Sequence, residues 1–153
     1  MDPEPCFEVA EQIEFLMRDI YARLAGLHGG DPRKQAMFLQ LAAEEEQHAH
    51  RIRLLARHQG NDAWAKDAAA RISRDLNGMA AELRQILQDL DGAPEGPVSG
   101  VLLRRVMDAE LRCGGIHAEE LAQSAESDVQ VLFHALAKQD VHHKDLLESV
   151  AAP

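Results

Sequence analysis

The sequence predicts an all-α protein, a four-helix bundle made of two antiparallel hairpins joined by a long helical crossover. Three observations lead there. Ala, Leu and Glu dominate and β-branched runs are absent, a composition that favours helix over strand. Apolar positions recur at steps of three and four, as in "LAAEEEQHAHRIRLL", where Leu41, Glu45, His48, Ile52 and Leu55 share one face. The chain also carries one hairpin twice. "FLQLAAEEEQH" (38–48) aligns with "FHALAKQDVHH" (133–143) at an offset of 95, and "EFLMRDIYA" (14–22) aligns with "ELRCGGIHA" (110–118) at 96.

Stop and start signals divide the 153 residues. The first helix, about 4–28, ends at Gly29 and Gly30. The second, about 31–59, begins with Asp31 as cap and Pro32 in the first turn, and ends near Gly60. The crossover occupies about 60–97 and contains one helix or two short ones between 62 and 90. "DGAPEGPVSG" (91–100) is the strongest break. The third bundle helix follows at about 98–125. "SAESD", with Ser127 or Asp128 as cap, separates it from the fourth at about 128–151. Two short connections and one long crossover give the bundle topology.

Charge and composition narrow the function. Acids outnumber bases 26 to 16, a formal net charge of −10, which disfavours binding to nucleic acid or anionic membranes. No apolar stretch approaches the length of a transmembrane helix, and "MDPEPCFEVAEQ" lacks the pattern of a signal peptide. Cys6 and Cys113 are too few for a disulfide framework or a structural zinc site. A cytoplasmic protein is expected.

The unusual feature is acid and imidazole on the core stripes. The first helix places Glu14 and Tyr21 among Ala10, Ile13, Met17, Ile20 and Leu24. The second places Glu45 and His48 between Leu41 and Ile52. The third runs Leu103, Val106, Glu110, Cys113, His117, Leu121, and the fourth Phe133, Leu136, Asp140, His143, Leu147. A buried carboxylate costs several kcal/mol unless paired, and no Lys or Arg shares these stripes. Two divalent cations would neutralise Glu14, Glu45, Glu110 and Asp140, with His48 and His143 adding one nitrogen each. Carboxylates with imidazoles and no thiolate suit iron or manganese. Residues three apart on a helix lie about 5–6 Å apart at Cβ, so Glu45 with His48, and Asp140 with His143, can each hold one ion. Glu11, Glu119 and Glu120 are neighbouring alternatives to Glu14 and Glu110. Glu44 and Glu46 read as a solvated face, and His50 and His142 as surface residues. Tyr21 is either a core aromatic or a partner to the site; His117 reads as a core histidine that can serve the site, and Cys113 as a small core filler. Gly114 and Gly115, costly inside a helix, suggest close helix packing.

One carboxylate from each of two helices, with Glu-x-x-His or its equivalent from each of the other two, is the arrangement of ferritin-like dimetal bundles. The sequence resembles the ferritin-like di-iron carboxylate proteins, and among them the rubrerythrin-type ferritin-like domain without the rubredoxin domain. The resemblance covers all four bundle helices. It implies terminal ligands Glu14 and Glu110, bridging ligands Glu45 and Asp140, one histidine (His48, His143) per metal, and Tyr21 beside the site. It departs from the family pattern at three positions. Asp140 stands where Glu is usual, one methylene shorter, so that unless its helix moves inward it reaches one metal only. His117 replaces an aromatic, and Cys113 replaces a further Glu. The resemblance implies a cofactor of two iron ions, with manganese as the other candidate. It implies an oxidoreductase that reacts with hydrogen peroxide or dioxygen and takes electrons from an external donor protein, since no Cys-x-x-Cys pair is present. A homodimer follows by family analogy. The alternatives are a ferroxidase or iron storage and delivery protein, and a metal-free helical interaction protein.

Overall fold

A computed structural model describes residues 6–59, 63–124 and 126–151. The regular elements among the described residues are all helical: α1 (Cys6–Leu27), α2 (Pro32–His58), α3 (Lys66–Asp91), α4 (Gly100–Glu119), a 3-10 turn (Leu121–Gln123) and α5 (Ser127–Ala151). No strand occurs among the described residues, and no helix is long and apolar enough to cross a membrane. The predicted start of the first helix at 4 and the stop at Gly60 fall outside the described residues.

The α1–α2 hairpin follows its signals. His28 Nδ1 donates to the Leu24 carbonyl at 2.9 Å, closing the end of α1. Asp31 then accepts from the backbone N–H groups of Arg33 and Lys34 at 3.1 and 3.2 Å, with Pro32 opening α2. The crossover is one helix. Its buried face, Ile72, Leu76, Met79, Leu83, Ile86 and Leu90, steps by four and three and lies against α1. Ser99 caps α4 by accepting from Leu102 N–H at 3.2 Å.

The second hairpin departs from expectation at its turn. The predicted helix to 125 ends at Glu119, and the 3-10 turn takes over. The cause is tertiary: the segment before α3 docks here. Trp64 Nε1 donates to the Leu121 carbonyl at 3.0 Å, Ser124 Oγ donates to the Ala63 carbonyl at 2.7 Å, and Leu121 and Ala122 are buried. Ser127 is the first residue of α5 rather than its cap. Ser124 Oγ accepts from Glu126 N–H at 3.1 Å and so closes a serine turn just before α5.

α1 packs chiefly on α2 and α3, α4 on α5, and α2 meets α5. The stripes Ala10–Ile13–Met17–Ile20–Leu24, Leu103–Val106, and Phe133–Leu136–Leu147 form one buried core. Phe7, Trp64 and Phe133 gather toward one end, with ring centroids 4.9 to 6.5 Å apart. Each fully buried side chain of this size adds roughly 1.5–3 kcal/mol. That apolar frame offsets the cost of what sits in its middle.

Candidate metal centre

α1, α2, α4 and α5 each send acid or imidazole into the core at mid-helix. Glu14, Glu45, His48, Glu110, His117, Asp140 and His143 are all 2 % exposed or less, and no Lys or Arg is buried among the described residues. Their ligand atoms form two groups, each spanning no more than 4.8 Å. One contains Glu14, Glu45 and His48; the other contains Glu45, Glu110, Asp140 and His143. All six predicted ligands are therefore brought together, and Glu45 belongs to both groups. Asp140 belongs to one. Of the alternatives, Glu11 pairs with Arg53 at the surface and Glu120 with Arg71; neither joins the groups.

The two histidines are held alike. Their rings stack with centroids 5.7 Å apart and planes 11° apart. His143 Nδ1 lies 2.8 Å from Glu45 Oε1 and 3.3 Å from Glu110 Oε1, while His48 Nδ1 lies 3.3 Å from Glu45 Oε2 and 3.6 Å from Glu14 Oε2. Each Nε2 points away from the cluster. His48 Nε2 donates to Gln139 Oε1 at 2.6 Å, and His143 Nε2 donates to Glu44 Oε2 at 2.8 Å. Such partners fix the tautomer and ring angle of a metal-binding histidine. Glu44, expected on a solvated face, is thus half-buried and tied to the site. The signal that finds it is the repeat: Glu44 and Gln139 are equivalent at the same offset of 95.

A second crossed pair holds the carboxylates. The Tyr21 hydroxyl donates to Glu110 Oε1. Its repeat counterpart His117 reaches back to α1, Nε2 lying 3.2 Å from Glu14 Oε1, and its Nδ1 donates to Asp140 Oδ2 at 2.6 Å. Both residues therefore serve the cluster as well as the core. Cys113 lies buried among the same carboxylates. Burial, then the charges of Asp140 and Glu110, push its thiol well above the ordinary range, and it belongs to neither group of candidate ligand atoms.

Without metal, protons balance the charge. Burial disfavours the imidazolium of His48, yet hydrogen bonds to Glu14 and Glu45 outweigh it and raise its pKa to about 11. His143 rises likewise to about 11 through Glu110 and Glu45, and His117 to about 10 through Asp140 and Glu14. Burial, then the charges of Glu14 and Glu110, hold Glu45 well above the carboxylate range. Glu14 is buried too, but hydrogen bonds to Glu45, His117 and His48 hold it well below. Burial outweighs the attraction of His117 and lifts Asp140 to about 7.

The residues fit a pair of divalent cations. Four carboxyls and two inward-facing imidazole nitrogens converge, and Glu110 Oε2 is buried with no hydrogen-bond partner among the described residues. An acceptor left so costs stability unless something else binds it. A groove of about 640 Å³ between α3 and α4, lined in part by Arg74, Met79, Leu111 and Arg112, contains none of these ligands. In comparisons with known proteins, the chain matches no family model, no curated protein and no solved structure.

Proposed function

We propose that this chain is a ferritin-like four-helix bundle carrying a dinuclear iron centre, and that it acts as an oxidoreductase of rubrerythrin type on hydrogen peroxide or dioxygen. One observation carries the reading: two buried groups of potential metal-ligand atoms share Glu45, with no buried Lys or Arg among the described residues to neutralise them. Glu14, Glu45 and His48 would hold one ion, and Glu45, Glu110, Asp140 and His143 the other. Two iron ions bound there supply one electron each to the oxidant.

The chain's own residues do the rest. Tyr21 holds Glu110 by Oε1 and leaves Oε2 for an ion. Glu44 and Gln139 fix the rings of His143 and His48 so that both Nδ1 atoms face inward. The apolar residues above and below the cluster exclude water, which strengthens every electrostatic interaction inside it. Electrons would come from a separate donor protein.

Metal analysis after iron supplementation, followed by rapid mixing of the ferrous protein with peroxide or dioxygen, tests this. The expected result is about two ions per chain and prompt oxidation of the ferrous form. Bound iron that is inert to both oxidants would favour storage or delivery. A metal content near zero would favour a metal-free interaction protein.

A further inference from the structure

Asp140 poses a geometric problem. Its repeat counterpart is Glu45, whose arm is longer by one carbon–carbon bond, roughly 1.5 Å. Asp140 nevertheless places an oxygen within the Glu45–Glu110–His143 group. The answer lies across the α4–α5 interface. A Cβ at Gly114 would stand 3.3 Å from Asp140 Cβ and 3.6 Å from the Ala137 carbonyl oxygen. At Gly115, the next residue, a Cβ would meet nothing within 4 Å. Two adjacent glycines thus have different settings, and only Gly114 is spent on contact with a candidate ligand.

The repeat sharpens the point. At an offset of 96, Gly114 corresponds to Arg18. The N-terminal hairpin, with the longer Glu45, has at that position a full side chain, whose guanidinium pairs with Asp19 and Glu46. The C-terminal hairpin pairs no side chain with the shorter Asp140. One turn along α4, His117 holds Asp140 Oδ2 at 2.6 Å, leaving the other oxygen for an ion.

We propose that Gly114 is a positioning residue of the metal centre: its missing side chain admits Asp140 deeply enough for the short carboxylate to reach the second ion. This rests on the dinuclear reading above. A Cβ at 114 would displace Asp140 by a few tenths of an ångström, beyond the ±0.2 Å or so that metal–ligand distances tolerate. A glutamate at 140, with one more methylene and one more torsion, would absorb that displacement.

The test is a four-protein cycle of wild type, Gly114→Ala, Asp140→Glu and the double variant. Each is titrated with Mn(II), the free ion being counted by electron paramagnetic resonance. Gly115→Ala, at the open neighbouring position, controls for folding and helix propensity. Gly114→Ala is expected to weaken one of the two ions by about tenfold or more, leave the other unchanged, and reduce the exchange-coupled dimanganese signal. The double variant is expected to recover both ions and the signal. A general packing role for Gly114 would give no such rescue. The proposal is overturned if Gly114→Ala binds both ions as wild type does, or if the double variant binds no better than Gly114→Ala. Should Gly114→Ala not fold, the double variant alone decides: two ions at wild-type affinity support the proposal, and one overturns it. A wild type that binds no ion overturns the dinuclear reading itself.

Discussion

In the N-terminal hairpin, His48 donates to the neutral amide of Gln139; in the C-terminal hairpin, His143 donates to the carboxylate of Glu44. Other matched positions differ too: Glu45 corresponds to Asp140, Tyr21 to His117, and Arg18 to Gly114. The two histidines stack and take their partners from opposite hairpins, but the chemistry of the two halves differs. Candidate ligands are held across the hairpins, Tyr21 of the first by its hydroxyl holding Glu110 of the second and His117 of the second meeting Glu14 of the first, while His117 also holds Asp140 of its own hairpin. A repeated hairpin therefore brings two similar groups of candidate ligands together, and differences within the repeat make the two groups unlike. Both candidate groups share Glu45; one has the neutral histidine partner Gln139, and the other has Asp140 in addition and the anionic histidine partner Glu44.

The largest test of this contrast removes one carboxylate from each hairpin. Glu45 belongs to both ligand groups and Asp140 to one. Glu45→Ala should abolish binding of both ions, whereas Asp140→Ala should leave one, held by Glu14, Glu45 and His48. Iron stoichiometry measured on both variants checks this, and equal losses would erase the distinction between the halves.

Next in size is the response to pH. In the metal-free protein His48 and His143 hold their protons up to about pH 11, against an ordinary 6.5. The folded state then binds protons that the unfolded state releases, so the stabilisation is complete below about pH 6.5 and is lost as pH rises toward about 11. The melting temperature of the metal-free form should fall steadily between about pH 7 and 10. The iron-loaded form, whose Nδ1 atoms carry metal in place of protons, should be nearly flat over that window. Differential scanning calorimetry of the two forms makes the comparison.

A smaller change makes the histidine partners alike. Glu44→Gln gives both rings a neutral acceptor, and loss of such a carboxylate partner typically weakens a metal site about 10–100-fold. The effect should fall on the ion bound by His143 alone. Titration with Co(II), whose visible bands report each site's ligand field, would reveal whether the two positions then converge.

The smallest effect separates the neighbouring glycines. Gly115→Ala introduces a better helix former into open space and should stabilise the fold by up to about 1 kcal/mol. Gly114→Ala gains the same propensity but meets Asp140, and should gain less or lose. Denaturant unfolding of both variants resolves the difference.

Much of the candidate site was legible in the chain, because period and repeat are local properties. Steps of three and four placed Glu14, Glu45, Glu110 and Asp140 on apolar stripes, and the 95-residue offset matched His48 with His143. What stayed hidden depended on contacts between helices. Glu44 and Gln139 lie off the buried stripe, at positions that look solvated until α2 and α5 meet. The end of α4 carries no strong stop signal of its own, since Ala63 and Trp64 impose it from outside.

By itself the sequence determined the helical class, the helix that each candidate ligand rides on, and the charge that needs neutralising. These follow from backbone propensity, side-chain periodicity and a count of buried ionisable groups, none of which needs a partner element. Only the tertiary structure decided that Glu45 joins both ligand groups while Asp140 joins one, that the two histidines trade partners across the hairpins, and that Gly114 rather than Gly115 stands against Asp140. Those outcomes depend on the rotation and separation of packed helices. A Cβ at Gly114 would stand 3.3 Å from Asp140 Cβ, whereas one at Gly115 would meet nothing within 4 Å, and no local pattern in the chain encodes a distance between helices.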